Sequence, residues 1–382
     1  MSLRSFLFKK IIKNKFNYIP IAMLVFLISL VLFFNWRAET FGGQLAQLQL
    51  IKESHQTNIS YLKEELLSLD KDSKKYEEIR IEIIKSEDIF KKSKEAINNL
   101  KKEDWKNANE NHADILKKTS QEMLNKGEAT QEFTTYNANQ ILILEDISQK
   151  NIQYQNFYSD LKATNFLFTL MNIYFPFFIT ITIIFVICGL FEKRYIQRMD
   201  IFSVFAKSKP TITFLISAFI VSCVIFAIAI LYSFLISFLL FDSGSLRYPI
   251  VSYEELTGNS YLQSIGATIL PVVVLTFLSI LFLVLFVYLL CTSLRDKIAS
   301  LFLSLLLSVG VMGLTQIVVP LQQIAKYLPT TYFRSASIVI GHFQYNNHQL
   351  DITFMSGVIC LSAWCLILVM LLKILTILRP NY

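Results

Sequence analysis

Hydrophobic positions in this chain come in two registers. Residues 19–34 are an apolar run interrupted only by Ser29, and from about residue 166 to residue 373 apolar runs dominate again. Between them lie about 130 residues in which apolar positions recur only every third or fourth place, as in Ile59, Leu62, Leu66 and Leu69, among Lys, Glu, Asn and Gln. The first register is that of helices wetted by lipid, and the second is that of amphipathic helices in water. A crossing of the hydrocarbon layer takes roughly 20 apolar residues. Six segments meet that length, at 18–36, 166–191, 211–241, 265–291, 298–320 and 353–373. The pattern predicts an all-α polytopic membrane protein with three parts. These are an inner-leaflet helix and first span (1–36), an extracellular helical domain (37–165) and five further transmembrane helices (166–382).

In the insert, no proline occurs between Pro20 and Pro176, and after Gly42-Gly43 the single glycine is Gly127. Few breakers and many good helix formers predict three to five long helices folded back as a coiled-coil-like stalk. Ser73 is placed to cap one helix, Asn125-Lys126-Gly127 to stop another, and Thr130 to start the last, which is expected to run on into the second span. Both a gripping domain for a substrate or partner and a rigid spacer fit this composition.

Charge sets the orientation. The insert holds 19 Lys/Arg against 22 Asp/Glu, a net of −3, whereas the rest of the chain holds 17 against 7, a net of +10. Basicity therefore belongs to the membrane part and calls for no nucleic-acid partner. One set of short connections carries fourteen basic residues, from Arg4 through Lys193, Arg194 and Arg295 to Arg379. The opposite set carries Arg247, Lys326 and Arg334. The excess of Lys and Arg predicts both termini in the cytoplasm and the insert outside. Phe34-Asn35-Trp36-Arg37 offers no small-x-small cleavage site, so the first span is expected to stay as an anchor. Ahead of it, Leu3, Phe6, Leu7 and Ile11 alternate with Arg4, Lys9, Lys10 and Lys13, which fits an amphipathic helix on the inner leaflet or a basic tail that sets topology.

Several chemistries drop out. All five cysteines lie in apolar segments, so no disulfide framework holds the insert, and the four histidines are not spaced with Cys as zinc ligands. Ionisable residues are missing from the interior of the spans, against a proton- or sodium-coupled transporter. No nucleophile–base pair or carboxylate dyad points to an enzyme. Gln316 stands out as an amide expected within the fifth span, and Pro176, Gly310 and Gly313 as points of bending.

Two connections carry sharper signals. The segment Gly189–Pro210 includes Glu192, Lys193, Arg194, Arg198 and Asp200, then an apolar run with Phe202 and Phe205. A purely basic loop explains its lysines but neither its acids nor that run. The segment Leu321–Phe333, continuing to His342, is too apolar for a free loop and too short after Pro329 to span, which predicts a re-entrant or interfacial element.

In the order of these features the membrane part resembles a permease of the type-2 ABC exporter superfamily. The matching residues are Glu192 after the second span, Lys207-Ser208-Lys209-Pro210 entering the third, and Tyr327-Leu328-Pro329-Thr330-Thr331-Tyr332 between the fifth and sixth. The resemblance implies a dimer of permeases, homo- or heteromeric, served by two cytoplasmic ABC ATPase subunits. A cytoplasmic helix around Glu192–Phe205 would dock in a groove on each ATPase. Gln316, Tyr327, Pro329 and Tyr332 are the candidates for a gate or pathway. The chain has no G-x-x-x-x-G-K-[ST] sequence, so ATP and Mg would sit on the partner and this chain would bind no cofactor. A peptide or other amphipathic substrate, exported across a bacterial plasma membrane, is the expectation. The alternative is a membrane scaffold or accessory subunit of a secretion system, which also joins one span, a coiled-coil outer domain and five spans. A mechanotransmitting ABC protein of the macrolide-exporter or cell-division type has four spans rather than six.

Overall fold

A computed structural model describes residues 6–7, 9, 13, 17–127, 130–156, 159–191, 195–196, 199–200, 210–254, 257–347, 349 and 351–378. It contains six helices long and apolar enough to cross a membrane. Span one starts the helix Tyr18–Gly42, which bends at Gly43 into Gln44–Leu67. The other spans are Ala163–Phe191, Pro210–Phe241, Ile265–Leu294, Lys297–Leu314 and Phe354–Leu378. Of the expected N-terminal helix, Phe6, Leu7, Lys9 and Lys13 are described and all are helical; Leu7 is buried in the core of the bundle.

Span four (Ile265–Leu294) is the hub of the bundle, in contact with spans two, three, five and six. The core around it includes Ile183, Ile187, Phe214, Leu283, Val287 and Tyr288. Spans three, five and six keep many large apolar side chains exposed, among them Leu239, Phe302 and Ile377. Such faces cost free energy in water and none against lipid tails. At one end of the bundle the thiols of Cys188 (span two) and Cys291 (span four) lie 3.9 Å apart. A membrane-permeant oxidant is therefore expected to join these two before any other cysteine pair. Peptide mass spectrometry after alkylation checks this, and a different dominant pair contradicts the packing of spans two and four.

The insert forms four helices, Gln44–Leu67, Lys74–Lys101, Trp105–Asn125 and Gln131–Lys150, each packed on the next. The caps behave as their residue types require. Ser73, Asp104 and Thr130 accept hydrogen bonds from the amides of Tyr76, Asn107 and Phe133, each at 3.2 Å. Leu48, Ile89, Ala96, Ile97 and Ile115 make one small core, and Leu62, Ile79 and Ile83 a second. Ion pairs such as Lys92–Asp114 (2.6 Å) and Lys117–Glu145 (2.5 Å) cross between helices. They lie at the surface, where each is worth under about 1 kcal/mol, so the apolar seams hold the stack.

Three expectations need correction. The last insert helix does not continue into span two. It stops at Lys150, where Asn151 takes the left-handed conformation (φ 51°) that asparagine tolerates, and an irregular segment leads on to Ala163. Span five is shorter than expected. A π turn at Leu306–Gly310 widens it, and it ends at Leu314, just after Gly313. The fold is also not purely helical. Pro249–Tyr253 pairs antiparallel with Ser260–Ser264, where β-branched and aromatic residues flank a turn containing Gly258 (φ 70°). This hairpin packs on the last insert helix and, through Tyr253 N to Ile340 O (2.8 Å), on the connection between spans five and six. The insert and both of these connections therefore share one face of the bundle, called the insert face below.

Candidate functional site: a wedge between spans five and six

The connection from span five to span six is built of short pieces. Val319–Gln323 is helical, Ala325–Tyr327 and Pro329–Phe333 are 3-10 turns, and Ser335–Val339 and His342–Asn347 are helical again. Pro320 and Pro329 each sit in a first turn, where the missing N–H costs nothing. Gly341 closes the segment at φ 73°, with the Tyr253 carbonyl so close that a Cβ would lie 2.4 Å from its oxygen. Only glycine fits both constraints there.

This segment is a wedge driven into the bundle. Pro329 through Ser335 are all buried. The hydroxyls of Thr276 and Ser335 are 2.7 Å apart, and Ser279 Oγ donates to the Tyr332 carbonyl at 3.3 Å. Thr276 and Ser279 lie 11 and 14 residues into the 30-residue span four. At 1.5 Å per residue the wedge thus reaches about 17–21 Å down a helix about 45 Å long. The segment expected to be re-entrant or interfacial thus folds into the bundle beside span four.

Tyr332 is its anchor and is fully buried. Its hydroxyl donates to the Lys326 carbonyl at 2.8 Å and lies 3.1 Å from Ser356 Oγ at the head of span six. Its ring packs on Gly357, where an added Cβ would come within 2.6 Å of ring carbon. Beside the wedge, a cavity of about 40 Å³ is lined by Thr180, Thr276 and Ser279 together with Phe175, Pro176 and Phe333. Span two borders it just past a π turn, Leu170–Tyr174. The wider turn accommodates Pro176, whose ring would otherwise press on the carbonyl of Asn172 four residues earlier.

Arg334 is the buried charged residue of the wedge and is 8% exposed. Its guanidinium lies over the rings of Phe177 (5.2 Å) and Phe343 (5.9 Å) and reaches the Met312 carbonyl at 3.5 Å. Met312 is in the last turn of span five, whose free carbonyls and helix dipole favour a cation. Arg334 therefore fastens the broken end of span five to the wedge. In sequence it reads only as a basic residue of a short connection. The signal available was the run Thr330 to Ser337, in which no side chain but Arg334 carries charge.

The other expected site residues divide. Pro329 and Tyr332 lie within the wedge. Tyr327 is 64% exposed, with Lys326 Nζ 5.3 Å from its ring centre and its carbonyl accepting from Trp364 Nε1 at 2.9 Å. Gln316 is exposed beyond the end of span five, so the amide expected inside that span sits at the mouth of the wedge instead. Glu192, Lys193, Arg194, Arg198, Phe202 and Phe205 lie outside the described residues. Asp200 belongs to a short strand, Met199–Asp200, paired with Tyr195–Ile196, so the backbone at these four positions is a hairpin rather than the expected helix. Among the described residues no cluster of three His, Cys, Asp or Glu side chains forms a metal site.

Comparison with known proteins adds no identity: no family model, no curated protein and no solved structure matches this chain. Among the apolar spans, one multi-jointed element is held by hydroxyl contacts, by the buried Tyr332 and by Arg334.

Proposed function

We propose that this chain is the permease subunit of an ATP-driven exporter in a bacterial plasma membrane. Both termini face the cytoplasm, the insert stands outside as a coiled-coil-like body, and the spans contact lipid. The observation that carries the reading is the wedge, a re-entrant element between spans five and six that ends half-way along span four. The type-2 ABC exporter permeases that the sequence resembles carry short re-entrant helices at this position. A second copy of a permease, identical or related, completes the pathway. Two cytoplasmic ABC ATPases hold ATP and Mg and push on the segment from Glu192 to Phe205.

In this account ATP closure rocks spans two and three, and the motion reaches span four through its contacts with both. The wedge then moves with span four, since Thr276 and Ser279 tie it there. A jointed element supplies element-terminal residues that can absorb backbone rotation as hinges, which a continuous helix lacks. A peptide or another amphipathic molecule fits the route, since the outer body is long and helical and the bundle interior offers hydroxyls rather than charges. The intact chain, solubilised and captured from its native membrane, is expected to bring an ABC ATPase with it. Capture of the chain without any ATPase points to the secretion-system scaffold instead.

A further inference from the structure

A pocket of about 370 Å³ lies on the insert face, between the 249–264 hairpin and the connection from span five to span six. That volume suits a small organic molecule or one side chain of a larger ligand. Its floor is formed by Ile338, Gly341 and Gln344, all buried, and Glu254 and Tyr261 stand exposed at its mouth. The hairpin register brings the two mouth residues together. Tyr261 pairs across the strands with Ser252, and Glu254 lies two residues beyond Ser252, so Glu254 and Tyr261 share one face. The frame around them is fixed. The ring of Tyr253 stacks on Tyr345 with centroids 4.1 Å apart, and its hydroxyl accepts from Asn139 Nδ2 of the last insert helix at 3.2 Å. Three parts of the chain therefore hold the pocket in shape, which lowers the ordering cost of binding.

The chemistry of the pocket is one-sided. Of the residues that line it, Glu254 alone is charged. Its carboxylate accepts from Thr257 Oγ1 and forms no ion pair among the described residues. Gln344 on the floor is 2% exposed, and its Nε2 donates to the Ile338 carbonyl at 2.8 Å. That bond fixes the amide, and its Oε1 is left with no donor among the described residues. A buried amide oxygen without a donor is costly. The pocket thus offers a negative charge, a phenol ring and an acceptor in need of an N–H. A primary ammonium answers all three, since it pairs with a carboxylate, is attracted to an aromatic ring and carries several N–H donors. A carboxylate or phosphate would find no basic partner among the lining residues, and a quaternary ammonium has no N–H for Gln344.

We propose that this pocket receives a primary ammonium group, paired with Glu254, set against the Tyr261 ring and donating to Gln344 Oε1. The amine is either free or borne by a peptide as a lysine side chain. The proposal rests on the pocket and does not depend on the exporter reading.

Ligand-observed NMR titrations of the full-length chain in detergent test it with two probes, n-butylamine and Nα-acetyl-lysine amide. Saturable binding at about millimolar concentration is expected, and acetylation of the amine is expected to weaken it about tenfold or more. Glu254→Gln is expected to weaken binding about five- to tenfold and Tyr261→Ala about two- to fivefold, while Tyr261→Phe keeps wild-type affinity. Glu254 and Tyr261 are exposed, so these variants are expected to melt with the wild type. Tighter binding of the lysine amide assigns the site to a peptide-borne amine, and tighter binding of butylamine assigns it to a free one; either supports the site. No saturable binding of either probe at about 10 mM overturns the proposal. So does equal binding of the acetylated probes, or unchanged affinity in Glu254→Gln.

Discussion

Tyr332→Ala is expected to destabilise the solubilised chain by about 3–5 kcal/mol, the range for truncating a fully buried aromatic side chain. The ring is 0% exposed, and it fills the space between the wedge and Gly357 of span six. Its hydroxyl also closes the loop back to the Lys326 carbonyl. Tyr332→Phe, which removes only the hydroxyl, is expected to cost about 1 kcal/mol. Gly357→Val attacks the same contact from the other side, because its Cβ would press on the ring and on Leu275. Alone it is expected to cost about 1–3 kcal/mol by overpacking. In the Tyr332→Ala background the same valine enters vacated space and is expected to cost much less, or to restore stability. Thermal unfolding of the four chains in one detergent measures this coupling. Additive effects would mean that Tyr332 and Gly357 do not touch, and that the wedge is not seated against span six.

Acid lability of the insert is the second large effect. His112 is buried, with Gln44 Nε2 3.2 Å from its Nδ1 and the Tyr154 ring in edge contact at 6.1 Å, while its Nε2 has no partner among the described residues. Burial pushes its pKa down from 6.5 to about 4, since a charged imidazole would lose its hydration there. A histidine whose folded pKa lies below its unfolded value binds protons preferentially when unfolded. Stability is therefore whole above about pH 6.5 and falls as pH drops toward 4. At pH 4.5 the loss is expected to reach about 2–3 kcal/mol, because each tenfold difference in proton affinity between the folded and unfolded chain is worth about 1.4 kcal/mol. Tyr154 is the titratable group facing the ring, and it stays neutral throughout this range, its pKa raised by burial. Helical melts at pH 7 and pH 4.5 check the prediction when wild type is compared with His112→Gln. The variant is expected to lose markedly less stability on acidification. Equal losses would show that the acid sensitivity belongs to surface ion pairs rather than to His112.

Much of the frame is legible in the chain. Six apolar runs become six membrane-length helices because continuous hydrophobicity over such lengths has few other uses. Ser73 and Thr130 are readable as caps because a side-chain oxygen before an amphipathic run satisfies an otherwise orphaned amide. Asp104, which starts the third insert helix after Glu103 at φ 59°, gives no comparable signal inside a run of charged residues. The 249–264 hairpin escapes a reading of the pattern because strands of five residues carry little periodicity. The wedge is visible as a segment with the wrong composition for a loop, and its joints at Pro320 and Pro329 follow from proline chemistry.

Its partners are not visible. Arg334 looks like any loop cation until Phe177, Phe343 and the end of span five enclose it, and those come from separate stretches of sequence. Asp160 is equally ordinary in sequence, and only the meeting of span one, the hairpin and the segment before span two makes it a buried charge. Gln316 shows the converse. Polarity within an apolar run suggests a lined pathway, but the span stops two residues earlier and leaves the amide at the surface.

ATP-dependent export in sealed vesicles, with the chain and the ABC ATPase proposed to accompany it reconstituted together, tests the central claim most directly. Labelled amphipathic peptide is expected to cross only when ATP is present on the ATPase side, and Glu192→Ala is expected to insert normally yet uncouple hydrolysis from transport. Peptide movement by the chain alone, or full export by the Glu192→Ala chain, would contradict an account in which this polypeptide is the gate and a cytoplasmic ATPase drives it.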